Sequence, residues 1–159
     1  MNETLIANYN AVVGTNDTVY ILGDLAYKIN ASAIPGLLRR MNGKKILIHG
    51  NHDKRSCDEL YEYSKDFDRV TLDGVDISLM HYPMLTWPGR CRGAIHVHGH
   101  IHADVTYNET NRDMGIRRYD VGVDANNFFP VSLEQIKSFF SLGIPESQLN
   151  LRDWMDERL

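Results

Sequence analysis

Four apolar runs in this chain stop at residues that bind metals or move protons. Val19–Leu22 ends at Gly23-Asp24, Ile46–Ile48 at Gly50-Asn51-His52-Asp53, Ile77–Met80 at His81, and Ala94–His98 at Gly99-His100-Ile101-His102. In open α/β sheets, ligands bind beyond the carboxyl ends of the strands, so the four ends are expected to face one crevice. The glycines among them let the backbone turn sharply and approach a ligand closely. Carboxylate, amide oxygen and imidazole without thiolate suit Mn²⁺, Fe²⁺ or Fe³⁺, Zn²⁺, Co²⁺ or Ni²⁺ rather than a Cys-rich structural zinc. A single carboxylate can hold two such ions ~3.5–4 Å apart, where they polarise phosphoryl oxygens and bring bound water toward ionisation at neutral pH. A departing alkoxide then needs a proton. His52 is the natural donor, and Asp53 is expected to fix its tautomer. Arg90 and Arg92, in the Trp-Pro-Gly loop after His81, are the candidates to fork onto a substrate phosphate.

The elements that must position these residues follow from periodicity. Leu5, Ile6, Tyr9, Val12 and Val13 recur at helical spacing over Glu3–Val13, with Asn2 as a cap. Thr18–Leu22 and Lys45–His49 read as strands on either side of a helix near Ser32–Met41, which stops at Asn42-Gly43. This strand–helix–strand alternation predicts a parallel, buried sheet. After a polar helix near Ser56–Tyr63, Arg69–Leu72 and Val75–Met80 flank Asp73-Gly74, a two-residue hairpin signal. Ala94–His98 and Arg117–Val123 supply further strands. Ser132-Leu133-Glu134-Gln135 is a capping box that opens a helix to about Leu142, and the tail from Glu146 reads as another, mostly polar helix over 145–159. A parallel first half and an antiparallel second half predict a layered α/β domain, two sheets packed together with helices outside.

Bulk properties narrow the class. At 159 residues, 43% hydrophobic and 24% charged, the chain suits a single globular domain with its own core. A formal charge of -4 without a basic block argues against a nucleic-acid backbone as partner, but leaves a small anionic substrate open because a metal ion inverts the local field. Cys57 and Cys91 form no metal-type spacing and read as free thiols. With no apolar run of membrane-spanning length and no leader pattern, the expected location is the cytoplasm.

Taken in order, Gly23-Asp24, Gly50-Asn51-His52-Asp53, His81 and Gly99-His100-Ile101-His102 resemble the signature of the calcineurin-like metallophosphoesterases. The short bacterial and phage type is the closest in pattern, with Tyr-Ile-Leu-Gly-Asp-Leu-Ala early and Val-Gly-Val-Asp-Ala-Asn-Asn late. The resemblance spans roughly Asn2 to Ser141. It implies an α/β/β/α sandwich of two mixed sheets and metal-dependent hydrolysis of phosphate mono- or diesters. It also implies Asp24 as the bridge between two metals, with Asn51, His81 and His100 completing one site. His102 would serve the other site, beside an Asp and a His from an opening Asp-x-His motif. No Asp-x-His precedes Asp24 here. The expectation is therefore a domain lacking its first strand, one tightly held ion, impaired activity, and self-association into a homo-oligomer. A non-catalytic binding protein on the same fold and a nuclease are the rival readings. His49, His96 and His98 are read as solvent-facing strand positions, and Tyr27, Trp87 and Phe128 as crevice walls.

Overall fold

The structure, a computed structural model, describes residues 2–141. The polar helix expected over 145–159 lies outside the described residues. The chain is an α/β protein with two sheets. The first is parallel, in the order β1 (Thr18–Ile21), β2 (Lys44–Ile48), β3 (Ser64–Lys65). The second follows the order β4 (Phe67–Leu72), β5 (Val75–Met80), β6 (Ile95–His98), β7 (Arg118–Asp120).

Helix α1 (Asn2–Val12) brings Tyr9, and Val13 just beyond it, onto the first sheet, while Val12 points away and is mostly exposed. The helix expected at Ser32–Met41 is shorter. Asn30 caps a 3-10 turn by accepting from the Ser32 N–H at 3.1 Å, and α2 (Ile34–Arg39) follows with Pro35 in its first turn. Segment 56–63 is likewise a 3-10 stretch, Arg55–Leu60, rather than an α-helix. The two-residue β3 that follows is too short to leave a sequence pattern.

The second half corrects the sequence reading. Only β4 and β5 are antiparallel, joined through Asp73 (φ 48°) and Gly74 (φ 76°), both left-handed as a primed hairpin turn requires. β5, β6 and β7 run parallel. The connections, 81–94 and 99–117, are long enough for the crossovers that parallel pairing demands. The second crossover carries α3 (Val105–Asp113), a helix without an apolar stripe. Its buried positions are Asn108 and Asn111, and Asn108 pairs with the backbone of Asp120, accepting its N–H at 2.7 Å and donating to its carbonyl at 3.0 Å. A side-chain amide thus does for the outer strand what a further strand would do. α4 (Leu133–Ser141) opens on the expected capping box, with reciprocal Ser132–Gln135 bonds of 2.7 and 3.2 Å.

The core has two parts. Tyr9, Val13, Ile34 and Leu38 pack with Leu47 on the helical side of the first sheet. Ile48, the next residue along β2, packs instead with Ile77, Leu79, Ile95, Val97 and Tyr119 of the second sheet, closed by Ile136 and Phe140 of α4. Leu47 and Ile48 are 1% and 0% exposed, so β2 is buried on both faces and its carboxyl end opens between the layers. Among the described residues, no helix is long and apolar enough to cross a membrane.

Candidate metal centre

Two glycines set the geometry where β1 and β2 end. Gly23 has φ 85°, and a Cβ there would collide with the His81 ring and come within 2.6 Å of the Gly50 nitrogen. A Cβ on Gly50 would fall on the Asp24 carboxylate. The close approach admits only hydrogen at both positions. Asp53 Oδ2 ties the two loops together by accepting the N–H groups of Asp24 at 2.7 Å and Gly50 at 2.8 Å. Asp53 therefore holds backbone and not the His52 ring, which corrects the tautomer role read from the sequence.

His81 is 1% exposed. Its Nδ1 lies 2.7 Å from the Leu22 carbonyl, which can only accept, so Nδ1 carries the proton and Nε2 is a bare acceptor. Nε2 faces Asn51 Oδ1 at 3.1 Å, His100 Nδ1 at 3.1 Å and Asp24 Oδ2 at 3.4 Å. A proton on His100 satisfies one of these contacts at most. The Asp24 carboxylate and the Asn51 amide oxygen still converge on the same point with no donor between them. Ligand atoms of Asp24, His81 and His100 lie within 4.8 Å of one another, a donor set that fits one divalent cation. Asp24 (φ 55°) and His100 (φ 73°) are both left-handed, a conformation that costs a non-glycine residue about 1–3 kcal/mol and that gathers at functional sites.

The other sequence candidates fall outside this cluster. His102, also left-handed at φ 49°, is 81% exposed at its side chain and places Nδ1 2.8 Å from Asp124 Oδ2. His52 donates its backbone N–H to Asp24 Oδ1 at 2.8 Å, and its ring meets the Tyr27 ring edge-on at 4.5 Å. The phosphate-fork reading of Arg90 and Arg92 is not what the fold builds. Arg90 donates to the Leu85 carbonyl of its own loop at 3.0 Å and lies over the Trp87 ring. Arg92 Nη2 and Arg69 Nη2 both lie beside Gly89, and Arg69 pairs with Asp76 near the start of β5, whereas His81 follows its far end. Five residues of strand separate those positions by roughly 15 Å. Trp87 is no crevice wall either: it is 5% exposed and donates Nε1–H to the Ala94 carbonyl at 2.9 Å.

His96 and His98 are fully buried and His49 is 7% exposed, against the solvent-facing positions expected. β6 lies between β5 and β7 and is covered on both faces, so alternation along it separates two interiors rather than core from water. His96 Nδ1 donates to the Ser78 carbonyl at 3.0 Å while Nε2 accepts from the Met84 N–H at 3.0 Å, with the Tyr82 carbonyl also 3.2 Å from Nε2. His98 places Nδ1 2.9 Å from the Gly99 carbonyl and Nε2 3.2 Å from the Tyr107 hydroxyl. Burial pushes both imidazoles down to about 4 and keeps them neutral. Asp120, also 0% exposed, accepts from the Gly122 N–H at 2.7 Å, and burial raises its carboxyl pKa.

Over 144 residues the chain is 34% identical to the uncharacterized protein MJ1445 of Methanocaldococcus jannaschii, an alignment covering 90% of this chain and 77% of that one. The chain belongs to the MJ1445 family. It is also 31% identical over 155 residues to the gene 66 protein of Mycobacterium phage L5, across 78% of this chain and 73% of the phage protein. Among solved structures it resembles the crystal structure of AQ665, a protein of unknown function from Aquifex aeolicus. That likeness has a TM-score of 0.69 and 26% identity, covering 86% of this chain and 83% of that one. No family model matches the chain.

Proposed function

We propose that this protein is a metal-dependent phosphoesterase of the calcineurin-like type, with an α/β/β/α sandwich carrying the site. The observation that carries the reading is His81 Nε2, left as the ring's acceptor nitrogen because Nδ1–H is directed to the Leu22 carbonyl, and surrounded by Asp24, Asn51 and His100. The order of the four motifs along the chain supports it. A divalent ion bound there would supply Lewis acidity toward a phosphoryl oxygen and a water that ionises near neutral pH.

The protein's own groups do the rest. Leu22 orients His81, the Gly23 and Gly50 turns let Asp24 reach the same point, and Asp53 locks both turns. His52 is anchored to Asp24 through its backbone and steadied by Tyr27, with its ring free to pass a proton to a departing oxygen. Metal titration of the full chain, followed by hydrolysis of a chromogenic phosphodiester with added Mn²⁺, tests the proposal. Turnover that appears with the metal and disappears on chelation is the expected result. Failure to bind any divalent ion would sink it.

A non-catalytic binding role is the second reading. It is favoured by His102, which pairs with Asp124 instead of joining the cluster, leaving ligands for one ion gathered. One bound ion without turnover would select it.

A further inference from the structure

His52 also lines a cleft of ≈ 500 Å³ whose walls include Tyr27, Lys28, Ile29, Asn30 and Lys54. The volume is in the range of small-molecule sites. Its lining holds two lysines and no carboxylate, although the chain as a whole carries -4. Tyr27 is 54% exposed, a large aromatic ring left facing water at the cleft. The Lys28 ammonium lies 4.9 Å from the centre of that ring, and Lys28 itself is left-handed at φ 57°. The ammonium lies over the ring in a cation–π contact, so positive charge and aromatic surface meet at the cleft.

We infer that this cleft binds the leaving-group side of the substrate, and that the group is a flat ring bearing its own anion, a mononucleotide in chemical class. The role as leaving-group pocket rests on the phosphoesterase reading, because His52 both lines the cleft and bonds through its backbone to Asp24 of the cluster. The binding chemistry does not. An exposed tyrosine face stacks any planar ring, and the two ammonium groups act as point charges for a phosphate. A polymer fits less well, since the net charge of -4 repels a phosphate backbone.

The full chain in chelator is titrated by calorimetry with adenosine 5′-monophosphate, adenosine and inorganic phosphate. The monophosphate is expected to bind more tightly than either of the others. Tyr27→Ala should weaken the monophosphate and adenosine alike by roughly five- to tenfold. Lys28→Ala combined with Lys54→Ala should weaken the monophosphate by about fivefold at low salt and leave adenosine unchanged. Equal binding of monophosphate and inorganic phosphate, or indifference to all three substitutions, would overturn the inference. Much tighter binding of an oligothymidylate, with steep salt dependence, would overturn the mononucleotide class in favour of a single strand. Mn²⁺-dependent hydrolysis of the chromogenic diester by the same preparation reads the enzyme proposal separately. Turnover without nucleotide binding removes the cleft alone, and nucleotide binding without turnover removes the enzyme alone.

Discussion

His81 and His96 are both buried imidazoles near the second sheet, and the protein treats them in opposite ways. His96 has a donor for its acceptor nitrogen, the Met84 N–H, and an acceptor for its donor nitrogen, the Ser78 carbonyl. His81 has only the second half of that arrangement; its other nitrogen faces oxygens and a third ring nitrogen. One ring is finished by the protein; the other keeps a nitrogen among acceptors, which under the proposed reading a bound cation would complete. The difference lies in what the neighbouring loop offers. The 82–87 loop presents a backbone N–H to His96, while the glycine turns after β1 and β2 present Asp24 and Asn51 to His81. Burial alone does not mark a candidate ligand; what sets His81 apart is that its acceptor nitrogen converges with a carboxylate and an amide oxygen on one point.

The sharpest break of this comparison is the pair His81→Ala and His96→Gln. Removing His81 should weaken Mn²⁺ binding by at least about 10²-fold, since losing even a group that merely orients a ligand costs 10–100-fold. His96→Gln should keep the metal and lower the melting temperature instead. Equilibrium dialysis with the two variants reads this, and equal metal loss in both would erase the distinction.

His52→Ala should reduce turnover of phosphodiesters with poor leaving groups by about 10²–10⁴, and that of nitrophenyl esters much less. The proton it supplies matters only where the leaving oxygen is basic. Equal losses for both substrates would make His52 a binding residue.

Acid sharpens the comparison from the other side. His96 titrates at about 4 when folded against 6.5 when exposed, so between those values the unfolded chain binds more protons. Its contribution is fully present above pH 6.5 and is lost as pH falls toward 4, amounting to at most about 3 kcal/mol. Urea unfolding from pH 7 to pH 4 should show this slope in the native chain and a shallower one in His96→Gln.

The smallest effect is expected at His102→Ala. Its ring is exposed and paired with Asp124, outside the cluster, so the one tight ion should change affinity by no more than about twofold. A tenfold loss would bring His102 into the site.

The sequence by itself determined the residues of the cluster and the strand ends that carry them. Asp24, Asn51, His81 and His100 each follow a short apolar run, and a parallel strand buried on both faces writes itself as such a run. It also determined the Asp73-Gly74 hairpin and the Ser132–Gln135 box, because both are local devices whose partners lie within a few residues. Only the tertiary structure decided the direction of β6 and β7, since a strand's side-chain pattern is the same whichever way its neighbour runs. It alone revealed α3, whose buried face is asparagine and so leaves no hydrophobic period. Asp53 went to the backbone of two loops, Arg90 to the Leu85 carbonyl and Trp87 ring of its own loop, and Arg92 to the neighbourhood of Gly89 and Arg69. The first and last of those outcomes depend on residues distant in sequence, as does the burial of His49, His96 and His98. An alternating strand looks half-solvated until other segments cover its second face, here Met84 and Trp87 at His96 and Tyr107 of α3 at His98.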